Sequence, residues 1–535
     1  MRKLFGKVGL GMLVVMVLVG CAKDGELNNK NEMARLLENA VKIELSDEVI
    51  MVDGKEISSM EESAVYKAND IVYYEEGHDF TYGEGEKKDE HSKEEADKHT
   101  VVHITKPGTY SVSGQLSYGQ IAVDLGDGAK KDEEAIVNLI LNGIDINCDV
   151  APAVIFYNVY ECGSDEVEDA SQNVDTSNAG ANVYIADDTE NNVNGSYVAR
   201  IYKSVELNEE GTKVVDSKKL HKYDAAFYSK RTLNINGGEK GNGILNIVAE
   251  NEGLDSELHL TINGGNINIE SGNDGINTNE DEVSVTCING GTLNILVNGA
   301  TGEGDGIDSN GWLVINGGTV ISAACSTSMD AGIDSDMGIH INGGTVIATG
   351  NMLDRIGDSD QTYVIFSYAE RQNGGNIYTL KNASDEEVFR FENINEFTYL
   401  LVADKKLTEG DYTLWCNDLL SEGSSNASFG MGSGGFFGGK PDENWTPDEN
   451  WKPDEMPKPD EMPMRGEKPE GMENPDMEKM PEGMEWPNME DMPENNRRPE
   501  IGYMQEEGEK SSVFTIKKGI NQFSNINVAS VTEDK

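Results

Sequence analysis

The stretch Leu260-Thr261-Ile262-Asn263-Gly264-Gly265-Asn266-Ile267-Asn268-Ile269 sets two alternating apolar runs on either side of an Asn-Gly-Gly break. Alternation at period two is the mark of a strand with one buried face. Its central tetrapeptide, Ile-Asn-Gly-Gly, starts at Ile235, Ile262, Ile288, Ile315 and Ile341, at spacings of 27, 26, 27 and 26 residues. Between the copies runs a second motif, Gly-hydrophobic-Asp/Asn-Ser/Thr, at Gly253–Ser256, Gly275–Thr278, Gly306–Ser309 and Gly332–Ser335. A unit of roughly 26 residues offers three short strands and three turns, too little to bury its own apolar side. Stacking on the next copy buries it, which is the logic of a solenoid. No segment of the unit shows a 3.6-residue period, so leucine-rich and ankyrin-type repeats do not fit. The expected fold is all-β, a parallel β-helix of roughly 26-residue coils. One copy, Val283 to Ile288, slips by a residue and predicts a bulge. The stacked Asn236, Asn263, Asn289, Asn316 and Asn342 are expected to be structural, because Asn and Gly tolerate left-handed angles at tight corners.

Outward from the repeats, residues 101–420 continue as strand and glycine turn: Val102-x-Ile104, Tyr110-x-Val112, Ile121-x-Val123, then the long run Val137 to Ile146. Residues 21–100 are acidic and mixed and are expected to be largely a tether. Residues 421–511 turn glycine-rich and then low in complexity. Between Lys440 and Lys510 lie twelve of the fourteen prolines, ten of the twenty methionines, and 22 acids against 9 bases. Such a stretch is expected to stay extended and disordered. Strand pattern resumes at Val513 to Ile516 and Phe523, so the stretch is an insertion rather than a tail, with 512–535 closing the domain.

Across 535 residues, 97 acids against 43 bases give a formal charge of −54. That excludes nucleic acid as a partner, since phosphate recognition needs a basic face. The N-terminus resembles a secretion signal over residues 1–20, with Arg2, Lys3 and Lys7 before an apolar run too short to span a bilayer. Leu18-Val19-Gly20-Cys21 resembles a lipobox, which would make Cys21 a lipidated N-terminus. Its two acyl-glyceryl chains are enough for stable anchoring. The expected location is the extracellular face of a bacterial cytoplasmic membrane. The five other cysteines, Cys148, Cys162, Cys287, Cys325 and Cys416, form no CxxC pair. They read as buried filler, with Cys148 and Cys162 the only tempting bridge.

Charge within the repeats narrows the chemistry. From Gly241 to Asp354 there is no lysine or arginine against sixteen acids. Stacked coils lie about 4.8 Å apart, so carboxylates at one register repel unless a cation sits between them. Calcium takes oxygen ligands at about 2.3–2.6 Å and can bridge such side chains. The candidate ligands are Asp274, Asn277, Glu303, Asp305, Asp308, Asp330, Asp334 and Asp336, which gather around the Gly-hydrophobic-Asp turns.

The run Val102-His103-Ile104-Thr105-x-x-Gly108-Thr109-Tyr110-x-Val112-Ser113-Gly114-Gln115-Leu116 resembles the N-terminal signature of bacterial carbohydrate-binding-domain surface proteins. Gly119-Gln120-Ile121 and Leu141-Asn142-Gly143-Ile144-Asp145-Ile146 do as well. Ala225 to Lys230, leading into Leu233-Asn234-Ile235-Asn236-Gly237-Gly238, is similar to that family's repeated core, and Leu407-x-x-Gly410-x-Tyr412-Thr413-Leu414 to its closing segment. The motifs follow in the right order over 101–417 and again near 512–528. The stretches 163–222 and 440–510 depart from the pattern. The resemblance implies a right-handed parallel β-helix with bound calcium that binds acidic plant cell-wall polysaccharide of the pectin (polygalacturonate) type.

Parallel β-helices also house lyases and polygalacturonases, so fold does not decide between binding and cleavage. A lyase needs a base and cations beside its metal. The regular coils hold none, although Lys230, Arg231 and Arg355 flank them. The polygalacturonase strings Gly-His-Gly and Arg-Ile-Lys do not occur. His259 and His340 read as exposed strand residues, and Trp312 as a plug in a coil turn. The expected function is non-catalytic, calcium-dependent binding of acidic polysaccharide, with a polysaccharide lyase or a structural adhesin as alternatives.

Overall fold

A computed structural model describes residues 32–357, 359–424 and 510–528. The chain is all-β apart from the short helices Glu32–Asn39 and Lys93–Ala96 and two single 3-10 turns among these residues. The repeats stack through three ladders of parallel strands. The first holds Leu233–Gly237, His259–Ile262, Val285–Ile288, Trp312–Ile315 and Gly338–Ile341. The second holds Ile244–Ala249, Asn266–Ser271, Thr292–Val297, Thr319–Ala323 and Thr345–Gly350. The third holds Val154–Asn158, Ala225–Ser229, Glu252–Ser256, Ile276–Thr278 and Ile307–Ser309. Earlier strands extend the same ladders toward the N-terminus, among them Gly108–Leu116, Val137–Cys148 and Ala181–Ile185.

The pairing is one residue to one residue, so like stacks on like. Ile235, Ile262, Ile288, Ile315 and Ile341 form a buried column in one continuous core. Each such side chain contributes about 1.5–3 kcal/mol on burial. The column of asparagines beside them is structural, by a different route from the one expected. Asn263 donates its side-chain amide to Asn236 Oδ1 at 3.0 Å, Asn289 to Asn263 at 2.9 Å, Asn316 to Asn289 at 3.0 Å and Asn342 to Asn316 at 2.9 Å. The left-handed angle falls instead on the second glycine, with φ of 85° at Gly291. A Cβ there would lie 2.6 Å from the Gly265 carbonyl oxygen.

Three expectations need correction. The Gly-hydrophobic-Asp segments at 253–256, 275–278 and 306–309 are not turns: they supply the strands of the third ladder. Leu254, Ile276 and Ile307 are in register and fully buried, which makes three residues enough for a strand here. No bulge interrupts Val285–Ile288, whose register with His259–Ile262 is unbroken. Thr286 takes the buried place of Leu260 and Leu313, its hydroxyl satisfied by Thr278 at 3.0 Å, and the irregularity is absorbed at Glu282, where φ is 60°. The segment expected as a tether is packed into the fold from residue 32 on. Val41–Leu45 pairs parallel with Gly108–Leu116, and Ile43, Ile50, Ile57 and Tyr74 enter the main core. Its scattered apolar residues are separated by charges, which hid this from a periodicity argument.

The parallel stacking ends at Thr345–Gly350, which pairs antiparallel with Phe397–Ala403. That strand and Tyr363–Gln372 begin a second core of Phe366, Tyr378, Phe397, Phe514 and Phe523. Ser424 pairs antiparallel with Lys510. Residues 1–20, Cys21 and the bulk of 421–511, with the expectations placed on them, lie outside the described residues. All five described cysteines are free, Cys148 and Cys162 included. No described helix is long and apolar enough to cross a membrane.

Candidate functional site

The third ladder carries a column of polar side chains beside its buried apolar column. Asp255, Asn277 and Asp308 are register partners on adjacent strands, and the Asp334 amide continues the ladder by donating to the Ile307 carbonyl at 2.7 Å. An amide therefore separates the first two carboxylates of the column, which relieves repulsion at about 4.8 Å spacing.

At one end, Asp224, Glu252 and Asp255 bring carboxylate oxygens within 4.8 Å of one another, and all three residues are buried. Glu252 begins the strand that carries Asp255, and Asp224 immediately precedes the neighbouring strand Ala225–Ser229. Lys222 pairs with Asp224 at 2.5 Å, leaving the trio short of positive charge. Asn277 donates to Glu252 Oε1 at 3.2 Å, and Asn279 to Asp255 Oδ1 at 2.7 Å. Glu252 Oε2, Asp255 Oδ2 and Asn277 Oδ1 are buried with no partner at all. Burial first, then the facing carboxylates, pushes the carboxyls of Glu252 and Asp255 far above their ordinary range. Unsatisfied buried oxygens of this kind cost about 1–3 kcal/mol each, more if charged. A hard cation prefers oxygen donors, and this set is all oxygen, so the residues fit calcium.

The candidate ligands read from the sequence fall along the next two repeats. Asp274, Asp305, Asp308 and Asp334 share one electrostatic neighbourhood, joined by Asp354. Burial, then mutual repulsion, raises Asp305 to about 10 and Asp308 to about 8. Asp274 and Asp334 rise to about 7, again mainly through burial. Several of these side chains also stitch repeats together. Asp274 Oδ1 accepts from the Asp305 amide at 2.6 Å, Asp305 Oδ1 from the Ala331 amide at 2.5 Å, and Asp330 Oδ2 from the Gly304 amide at 2.6 Å. Glu303 and Asp336 are exposed at the rim. Asn277 belongs to the other group, beside Glu252.

Asp224, Glu252, Asp255 and Asp354 were not singled out from the sequence. For Asp255 the signal existed, because it holds the same motif position as Asp308 and Asp334. Asp224 had none, as it lies outside the repeats in the sequence. His259 corrects an expectation: it is buried, and its Nδ1 accepts the Val285 amide at 3.1 Å.

A family model described as carbohydrate-binding domain-containing protein matches residues 98–363. A curated protein of that description from Acetivibrio thermocellus is 32% identical over 171 residues, 32% of this chain and 45% of the relative. The chain thus spans less than half the length of that relative. A solved structure described as a polysaccharide lyase-like protein from C. thermocellum, a gadolinium derivative, is 18% identical. It covers 60% of this chain and 97% of its own at a TM-score of 0.30, a likeness too loose to bear on fold or chemistry.

Proposed function

We propose that this chain winds as a right-handed parallel β-helix and binds acidic polysaccharide of the pectin type without cleaving it, through calcium held on the third ladder. Lipidated Cys21 would hold it on the outer face of a bacterial cytoplasmic membrane. The observation that carries the reading is the set of buried, unpartnered oxygens on Glu252, Asp255 and Asn277. A cation or a proton satisfies the two carboxylate oxygens among them and also removes their charge. The similarity of residues 98–363 to carbohydrate-binding domains supports a sugar ligand. A chain of −54 repels a polyuronate over a Debye length, about 8–10 Å, unless shared cations neutralise both.

Affinity electrophoresis through polygalacturonate gels tests this. Retardation with calcium and none in chelator is expected, with the polymer intact afterwards. A second reading, polysaccharide lyase, is favoured by one observation: Lys230, two residues past the register partner of Asp255, has its proton affinity lowered, chiefly by burial, as a lysine base requires. Unsaturated products from the polymer would establish it. Binding of whole cells with no competition by sugar would point to an adhesin.

A further inference from the structure

The repeats are acidic throughout, yet one cleft of about 130 Å³ gathers four cations: Lys130, Lys219, Lys230 and Arg231. Two are already neutralised, Lys130 by Asp165 at 2.5 Å and Lys219 by Glu257 at 3.3 Å. The carboxylate of Glu161 is taken up by Thr232, through its amide at 2.8 Å and its hydroxyl at 2.6 Å, and by the Gly163 amide at 2.9 Å. The remaining acid, Glu280, has its carboxyl raised by burial and by Asp165 and Glu257, which weakens it as a counter-ion.

Lys230 and Arg231 are left over. Both are half-buried, and no ion pair joins Lys230 to any described acid. Arg231 spends one Nη1 donor on the Lys230 carbonyl at 3.1 Å, while its buried Nε has no partner. Burial lowers the Lys230 ammonium, with Arg231 and Lys219 adding to the effect against the pull of Glu257. A guanidinium with spare donors beside an ammonium is the donor set for a carboxylate, bound through charge-assisted hydrogen bonds.

The position matters as much as the chemistry. Lys230 follows directly on the strand Ala225–Ser229, in which Tyr228 is the register partner of Asp255. Its amide keeps the ladder going by donating to the Phe156 carbonyl at 2.8 Å. Two residues along and one strand across is roughly 8 Å from backbone to backbone. That distance applies to Asp255; Asp224 precedes the strand and Glu252 pairs with Ala225, so the cationic pair and the acidic trio lie toward opposite ends of one strand, a span of about 20 Å that a polymer can cover.

We propose that Lys230 and Arg231 form a carboxylate-binding subsite that holds one uronate of the polysaccharide directly, while another uronate of the same polymer is bridged by the cation at Asp224, Glu252 and Asp255. This rests on the proposed function and adds a metal-independent contact that reads the acid group itself.

The test compares wild type, Lys230→Gln, the pair Lys230→Gln with Arg231→Gln, and the pair Lys230→Arg with Arg231→Lys. Binding to polygalacturonate and to its fully methyl-esterified form is measured in calcium, and calcium binding alone by calorimetry. The Gln pair should lose affinity for the acid polymer by about tenfold or more. The ester should bind weakly in every variant, calcium binding should stay unchanged, and the charge-conserving pair should retain affinity. Lys230→Gln alone should give a partial loss should the double variant fold poorly. Undiminished binding by both Gln variants overturns the subsite alone. Wild-type protein that ignores the acid polymer overturns the proposed function and the subsite with it. Cleavage that stops in Lys230→Gln while affinity persists also overturns the subsite, because Lys230 would then act as a base.

Discussion

Asn277 donates its side-chain amide to Glu252 at 3.2 Å, while its own carbonyl oxygen and the other Glu252 oxygen face no partner. Two strands that could have stacked apolar residues instead hold a polar pair that the protein alone leaves half-satisfied. That arrangement is stabilised when something positive, a proton or a metal, completes it.

Glu252→Gln combined with Asp255→Asn should therefore raise the melting temperature in chelator, since two buried carboxylates no longer face each other. The gain should be of the order of 1–3 kcal/mol. The same variant should lose the further rise that calcium gives wild type. Thermal scans with and without calcium check both halves.

The metal-free protein should lose stability as pH rises. Asp305 titrates at about 10, Asp308 at about 8, and Asp274 and Asp334 at about 7, against 3.8 for an unperturbed aspartate. Between pH 4 and those values the folded chain holds protons that the unfolded chain has released, so the unfolded state binds fewer. Stability falls through that window in chelator. Melting curves from pH 5 to 8 in chelator would reveal the fall. A flat profile over that range in chelator would contradict it.

Asn289 sits mid-column, donating to Asn263 and accepting from Asn316, whereas Asn342 only donates, to Asn316. At about 0.5–1.5 kcal/mol per hydrogen bond, Asn289→Ala should cost about 1–2 kcal/mol and Asn342→Ala about half as much. Neither should alter calcium binding. Denaturant unfolding gives the comparison directly, and equal costs would argue against a cooperative column.

Cys148 and Cys162 should both alkylate after unfolding without reductant, and reductant should leave the melting temperature unchanged, because neither is bridged. Mass spectrometry of the alkylated chain reads this out.

The ladders were legible because Ile-Asn-Gly-Gly recurs at a spacing that stacks strand on strand. Its glycines and asparagines were legible as structural too, though the column is held by side-chain amides rather than backbone angles. The third ladder was harder: Gly253 to Ser256 and its kin carry glycine and aspartate, which in isolation read as turns. Only stacking, with Leu254 on Ile276 on Ile307, turns three such residues into a strand. Asp224 and Glu252 were illegible because their partnership crosses repeats and forms only once the chain has coiled. Thr286 misled for the opposite reason: a buried hydroxyl stands in for leucine once Thr278 is there to bond it.

The most direct test of the account is calorimetric titration of calcium into the folded protein and into the Glu252→Gln, Asp255→Asn variant. Saturable binding by wild type, lost from the variant while its circular dichroism stays that of a β protein, is the predicted result. Calcium binding that survives in the variant, or that wild type never shows, would contradict the claim that Asp224, Glu252 and Asp255 hold the metal.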